Sequence, residues 1–407
     1  MHDCGAEKGL LSLQQVWDVY ARLTPLAPET LALLDAAAAV LAEDACAACD
    51  LPAFTQSAMD GYAVRHADLA SPLTLAGELA AGDSPVRALA AGEAVRIFTG
   101  AALPPGADTV VRQEEVTLQG AQLQLARLPQ PGEDVRQQGE ELRAGEPLLA
   151  AGKQLTPGRL AALAQAGINS VRVHARPTVA VIITGKEVVR QRGADAPHLP
   201  PGLVQDANWP QIHAWLQARQ LSFVAPVWVG DDVDALTAAL LRAADQAQLV
   251  ITTGGASVGD YDYLPQAASA AGFSCDFHGV AQRPGKPLWF GHKDKSLLLG
   301  LPGNPGAVLV GLYVHAAALV ARLSGQPQLH GWRLGRLACA QQAHPKVALI
   351  KRMRLAQDES SSLWLEPLPH QASHQLSNLA DAEALVWLPA EAGQLNAGET
   401  LPFLSLD

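Results

Sequence analysis

Positive charge is what this chain most lacks. Of 407 residues, 29 are lysine or arginine and 40 are aspartate or glutamate, giving a net charge of -11. Such a chain does not offer the broad basic surface that nucleic acid requires, so no nucleic-acid partner is expected. An anionic ligand must be attracted locally, by a lysine or arginine in a cleft, a helix N-terminus or a bound divalent cation. Cysteine is also sparse, with five residues. Cys46 and Cys49 form a CxxC, but no second CxxC or HxxxH follows to complete a zinc site. The odd, scattered count fits a reducing cytoplasm. The first twenty residues carry acids and no hydrophobic signal core, so a cytoplasmic protein is expected. No internal repeat or low-complexity tract appears. The longest apolar stretch, Gly306 to Leu323, is interrupted by His315 and Arg322 and follows a proline-rich turn. It reads as a buried helix, with no membrane partner expected.

What remains is a globular composition, 49% hydrophobic and 17% charged, on a chain long enough for two to four domains. Residues 11–23 place Leu13, Val16, Tyr20 and Leu23 on one helical face. Residues 29–49 read as an alanine-rich helix that Leu51-Pro52 breaks. From 51 to 140, short apolar runs alternate with glycine and proline, the pattern of a β-rich domain. Thr156, Pro157, Leu160, Leu163 and Gly167 mark a helix from cap to terminator. Residues 178–323 alternate buried strands with helices near 209–219 and 233–246, predicting a parallel, two-sided α/β sheet. Residues 330–407 return to short strands. The fold class is therefore multidomain α/β plus β. An α/β domain covers 178–327, a β-rich domain 51–140 and a C-terminal antiparallel β domain 328–407, with a helical or mixed connecting domain from 10–50 and 141–177.

In open α/β sheets, ligands sit beyond the carboxyl ends of the parallel strands. Four strand ends here carry unusual chemistry: Thr184-Gly185-Lys186-Glu187, Gly230-Asp231-Asp232, Thr253 through Asp262, and Leu301-Pro302-Gly303-Asn304-Pro305. Any one loop is more simply read as structure, Asp231 or Asn304 as a helix cap and Asp262 as a solvated turn. Four at one edge of one sheet reverse that weighting. Gly254, Gly255 and Gly259, with Ser257 among them, let backbone N–H groups approach a ligand oxygen. Asn304 as cap and Pro305 as first helical residue aim a helix N-terminus at the same edge. Arg283-Pro284-Gly285-Lys286-Pro287 adds two cations on a stiff loop. Carboxylates beside an anion site suggest Mg²⁺ bridging them to a phosphate. In the β-rich domain, Asp60 in SAMDGYAV is either a turn residue or a functional one, and Thr99 and Glu141 are equally ambiguous alone.

Together, SAMDGYAV, RIFTGAALPPGAD, GGASVGDYDY, RPGKP and LPGNP, in that order, resemble the molybdopterin molybdenumtransferase family, which includes bacterial MoeA proteins and the C-terminal part of gephyrin. The resemblance spans about residues 10–405. It implies a homodimer with sites built between subunits. It also implies a reaction in which adenylated molybdopterin and molybdate give molybdenum cofactor and AMP, with Mg²⁺ as cofactor. The family's functional positions map onto Asp60, Thr99, Glu141, Glu187, Asp231, Asp262, Lys286 and Ser373, and Mg²⁺ is placed on Asp231 and Asp262. Glu141 stands where aspartate is more usual. Further departures are Lys186 for a carboxylate, Gly279 for a lysine, Ala307 for a serine and Arg283 for a lysine. They leave open an alternative, a catalytically degenerate paralogue that binds molybdopterin as carrier or regulator. An ATP-using adenylyltransferase and a gephyrin-like scaffold are weaker rivals. The Lys186 ammonium is expected to reach the space vacated at Gly279.

Overall fold

The computed structural model describes residues 9–190, 199–255 and 263–406. They fall into two compact units, one of Met1–Glu29 with His174–Asp407 and one of Thr30–Val173. The fold is multidomain α/β and β.

The larger unit is built on a six-stranded sheet. Its order is Val227–Val229, Val179–Thr184, Leu249–Thr253, Ser296–Leu301, Trp289–Lys293, Ser274–His278. The first four strands are parallel. The last two pair antiparallel, so the sheet is mixed where a parallel one was predicted. The reason is the link at Asp294-Lys295. Two residues close a hairpin but cannot carry a crossover back to the same end. Both faces are covered, and the strands show it by alternation. Val179, Val181 and Ile183 enter one core, while Ala180 and Ile182 enter the other.

Helix Leu13–Ala21 begins at a Ser12 capping box and buries Leu13, Val16, Trp17 and Tyr20. Pro305–Leu323 is the one described helix long and apolar enough to cross a membrane, and most of it is buried. It is not uniform. Gly311–Ala316 is π-helical between two α-helical stretches, and a side chain on Gly311 would collide with Leu301, 2.5 Å away.

The C-terminal strands close on themselves. Ala348–Gln357 pairs with Leu363–Pro367, then come Arg333–Leu337, Thr400–Ser405 and Ala384–Leu388, which returns to Ala348–Gln357. This five-stranded barrel is filled by Met353, Leu365, Val386 and Phe403. Gln282–Arg283 joins its outside, parallel to Ala348–Gln357. Where the barrel meets helix Leu13–Ala21, Trp17 packs on His330, Trp332 and Trp387 at ring separations of 4.7, 6.1 and 5.3 Å. The three indole N–H groups and both His330 nitrogens are buried without hydrogen-bond partners.

In the smaller unit, six strands form a mixed sheet: Thr109–Arg112, Gly61–Val64, Glu93–Ile97, Leu73–Leu79, Gln122–Leu125, Val116–Gln119. Helix Pro157–Gln165 packs Leu163 beside Leu33, Leu41 and Leu155. The helix predicted over 29–49 does not form. That stretch holds strand Pro28–Ala32, a short turn of helix at Leu33–Asp35 and strand Ala45–Cys46. Ala38 is left-handed at φ 59°, and Ala36, Ala39, Val40 and Leu41 are all buried, three of them consecutive. A run buried at successive positions does not follow one helical face, so packing overrides alanine's propensity. Cys46 and Cys49 are thus outside any helix and, like Cys339, free. Cys275 is disulfide-bonded, which the scattered count did not suggest.

Candidate functional site

The loops at the carboxyl ends of the parallel strands converge on one cavity of about 610 Å³. Thr184, Gly185 and Glu187 come from the first loop, Gly230 and Asp231 from the second, Gly254 and Gly255 from the third, and Gly303, Asn304 and Pro305 from the fourth. Ser257, Gly259 and Asp262 lie outside the described residues. Glycine is needed where the loops press together. Gly254 has φ 92°, and a Cβ there would sit 2.6 Å from the Thr184 hydroxyl.

Adjacent aspartates divide structure from chemistry. Asp232 caps helix Val233–Gln246, its carboxylate accepting from Ala235 N–H at 2.8 Å. This leaves Asp231 to line the cavity. The Lys186 ammonium stands 4.0 Å from the Asp231 carboxylate. Lys186 therefore does not fill the space at Gly279. Their strands are four positions apart in the sheet, about 19 Å at roughly 4.8 Å per strand, while a lysine stem reaches only about 6 Å. Gly279 also has φ 96°, and a Cβ there would lie 2.7 Å from Leu10 Cδ2.

The fourth loop differs from its expected anion-binding form. Asn304 occupies the cap position but makes no capping bond. Its amide donates to Ser373 Oγ at 3.2 Å, and Gly306 N–H donates to the Ser373 carbonyl at 3.2 Å. A helix N–H that would face an anion is thus already used by the chain. Pro302 supports the loop without lining the cavity. Ala307 is buried in the helix's first turn, where it supplies packing and no hydroxyl.

The structure adds residues that the motifs did not single out. Asp206 accepts from Asn208 N–H, Trp209 N–H and Trp228 Nε1–H at 2.8, 3.0 and 2.9 Å. Asn208 in turn donates to the Gly303 carbonyl at 2.9 Å. Asp206 and Asn208 both line the cavity. The turn-like Asp-x-Asn after a two-residue strand was their only signal. Arg352, 2% exposed, donates to the carbonyls of His370, Ala372 and Gln375 at 3.0 to 3.1 Å. It shapes the loop bearing Ser373 and His374, and His374 also lines the cavity. Burial pulls the Arg352 guanidinium below its ordinary pKa.

Arg283 and Lys286 are exposed and line no part of this cavity. They emerge beside it, because Trp289, which follows their turn, pairs with Gly300, which precedes the fourth loop.

Within the smaller unit, two distant motifs meet. Asp60 accepts from Thr99 N–H at 2.8 Å and Thr99 Oγ1–H at 2.7 Å. Those bonds, with the Arg96 charge, hold the Asp60 carboxyl below its usual range. Gly61 has no room for a side chain, since a Cβ would lie 2.1 Å from the Val111 carbonyl. Glu141 is exposed, its N–H donating to the Leu51 carbonyl at 3.0 Å.

No group of three or more His, Cys, Asp or Glu suited to a metal occurs among the described residues. Asp206 has both its oxygens engaged as above, which leaves Glu187 and Asp231 as the available carboxylates among the described residues that line the cavity. That donor set fits Mg²⁺, which keeps several waters and takes one or two carboxylates plus substrate phosphate.

Three family models match the chain: the MoeA N-terminal region (domains I and II) at residues 11–167, a probable molybdopterin-binding domain at 180–322 and the MoeA C-terminal region (domain IV) at 335–406. A molybdopterin molybdenumtransferase of Haemophilus influenzae is 34% identical over 93% of this chain and 93% of its own. One of Bacillus subtilis is 33% identical over 92% and 89%. A molybdopterin biosynthesis MoeA protein of Pyrococcus horikoshii superposes with a TM-score of 0.82 at 27% identity, covering 98% of this chain and 100% of that one.

Proposed function

Since the chain belongs to the molybdopterin molybdenumtransferase (MoeA) family, we propose that it inserts molybdate into adenylated molybdopterin and releases AMP. The observation that carries this reading is the convergence of four strand-end loops on one cavity, lined by glycine backbones and by the Glu187 and Asp231 carboxylates. The cavity is large enough for a nucleotide-sized ligand. In this reading Gly254 and Gly255 admit the ligand's phosphates, Glu187 and Asp231 face them, and Asn208 and Ser373 fix the fourth loop. Thr184 and Thr99 supply hydroxyls, and Lys286 with Arg283 brings positive charge to the oxyanion. Mg²⁺ would be held by Asp231 with Glu187 and, as the family resemblance implies, Asp262, and would supply charge neutralisation at phosphate when bound.

Asp60, Thr99 and Glu141 complete the catalytic set. The proposal includes a homodimer with shared sites, a cytoplasmic setting and the four-domain division read from the sequence.

One observation favours the second reading, a molybdopterin-binding paralogue without turnover. The Lys186 ammonium stands 4.0 Å from Asp231 and places a positive charge beside a carboxylate that Mg²⁺ would use.

The test is to incubate the protein with adenylated molybdopterin, Mg²⁺ and molybdate, then measure AMP and bound molybdenum. AMP release that Asp60→Asn lowers at least about 100-fold, the scale of a lost charged catalytic group, supports the transferase. Tight binding of adenylated molybdopterin with no AMP supports the paralogue.

A further inference from the structure

Beneath the Arg283–Pro287 turn lies a line of three polar side chains that the reaction as described does not use. Tyr20 Oη is 3.2 Å from His315 Nδ1. His315 Nε2 is 2.9 Å from Gln282 Oε1. Gln282 Nε2 donates to the Gly285 carbonyl at 3.3 Å. Each comes from a different element: the N-terminal helix, the π-helical stretch of the long helix and the strand entering the turn. All three residues are buried to within 1% of their surface.

Chemistry orders the protons. The Gln282 amide must present its NH₂ to the Gly285 carbonyl, so its oxygen faces His315. Burial drives the imidazole pKa to about 3, so the ring is neutral and carries one N–H. That proton sits on Nε2, donating to Gln282, and Nδ1 accepts from the Tyr20 hydroxyl. Each donor atom in the line has at least one acceptor, which a buried polar group requires.

The line ends on the backbone that carries the cations. Gly285 is buried at φ 91°, and a Cβ on it would lie 2.6 Å from Gln282 Nε2 and 4.0 Å from the Ala307 carbonyl. The amide therefore presses on the turn from below, and the first turn of the helix begun at Pro305 stands beside it. His315 belongs to that same helix, ten residues on. We propose that Tyr20, His315 and Gln282 are positioning residues that fix the Lys286 turn relative to the Asn304–Pro305 loop. They thereby set the affinity for the oxyanion substrate. The proposal rests on the transferase reading for its kinetic part and on geometry alone for its structural part.

Two measurements separate those parts. The first is hydrogen exchange at Val280 and Leu288, whose N–H groups donate to the Lys286 carbonyl at 2.9 and 3.0 Å. Gln282→Met should raise exchange there at least about tenfold while helix Val233–Gln246 keeps its protection. The second is steady-state kinetics. Gln282→Met should raise the KM for molybdate about tenfold with kcat within about threefold, and in a Lys286→Ala background should raise it no further.

His315 variants check the direction of the line. The His315→Gln amide can still reach Gln282 and should retain most of the affinity, whereas the shorter His315→Asn should behave like Gln282→Met. If Gln282→Met does not fold, His315→Asn carries both measurements. Unchanged exchange at Val280 and Leu288, or equal KM effects with and without Lys286, overturns the proposal. Faster local exchange in a protein that releases no AMP would leave the brace standing and remove the transferase reading.

Discussion

Two proline–glycine turns stand side by side at one edge of the α/β sheet, and they are held from opposite sides. The Arg283–Pro287 turn is braced from the core, through Gln282, His315 and Tyr20. The Pro302–Pro305 loop is braced by Asn208 beneath the Gly303 carbonyl and by the Ser373 loop over the helix start. Arg352 in turn holds the Ser373 loop. The first brace consists of neutral groups in a closed core, so its failure leaves unsatisfied polar atoms that water cannot reach. The second is anchored by one buried charge, and its outer parts can exchange with solvent. One turn should respond to pH and packing, the other to the loss of a single guanidinium.

The strongest way to break the contrast is Arg352→Met. Three carbonyls lose a charged donor, and a stability loss of about 3 kcal/mol is expected, the upper range for hydrogen bonds to charged groups. Urea denaturation measures it, and a loss under about 1 kcal/mol would mean that the Ser373 loop holds itself.

The core-braced side should be the acid-sensitive one. Burial lowers the folded pKa of His315 in the brace to about 3, and that of His330 at the Trp17 joint outside it to about 4, against 6.5 when unfolded. The unfolded chain therefore binds more protons below pH 6.5. Stability from these groups is complete above that pH and is lost as pH falls towards 3 or 4. His315→Gln should reduce the slope of stability against pH between 6 and 4 by up to about 1.4 kcal/mol per unit. Parallel slopes for variant and wild type would show that His315 is not held neutral.

The two turns should also differ in tolerance to a methyl group. Gly285→Ala meets Gln282 Nε2 at 2.6 Å with an unfavourable φ, whereas Gly303→Ala meets nothing closer than 3.6 Å. The first should cost about 1–3 kcal/mol and the second under about 1, read by thermal melting. Equal costs would erase the distinction between the turns.

The smallest effect belongs to the Lys186–Asp231 pair, whose lysine is 75% exposed. Lys186→Ala should change stability by under about 0.5 kcal/mol. Adding Gly279→Lys should not raise AMP release, because the two positions are on distant strands. Partial restoration by the double change would mean that the ammonium does cross the sheet edge.

Much of this was legible because it is carried by local signals. Strand runs such as Val179–Thr184 and Leu249–Thr253 are continuous and apolar, and the glycine-rich loops after them mark the edge that carries the cavity. The helix at 233–246 is legible in the sequence, but its cap is Asp232 and not the Asp231 that the sequence suggested. Residues 29–49 misled because alanine satisfies a helix and a close-packed extended chain equally, and only the left-handed Ala38 and consecutive burial separate them. The antiparallel hairpin at Asp294-Lys295 was missed, because buried strands of either direction look alike. Arg352, Asn208 and the Tyr20–His315–Gln282 line could not be read from the sequence, since each acts through partners 18 to 295 residues away.

The contact of Trp17 with Trp332 and Trp387 has an optical consequence. Their indole N–H groups are buried and unbonded, so their excited states lack the polar relaxation that reddens emission. Ring centroids 5.3 to 6.1 Å apart put the three indoles within range of rapid excitation exchange, which depolarises fluorescence without any motion of the chain. A blue-shifted, low-anisotropy component would therefore report on the joint between the N-terminal helix and the barrel. Separation of that joint would turn the emission red and polarised, an internal signal that needs no added dye.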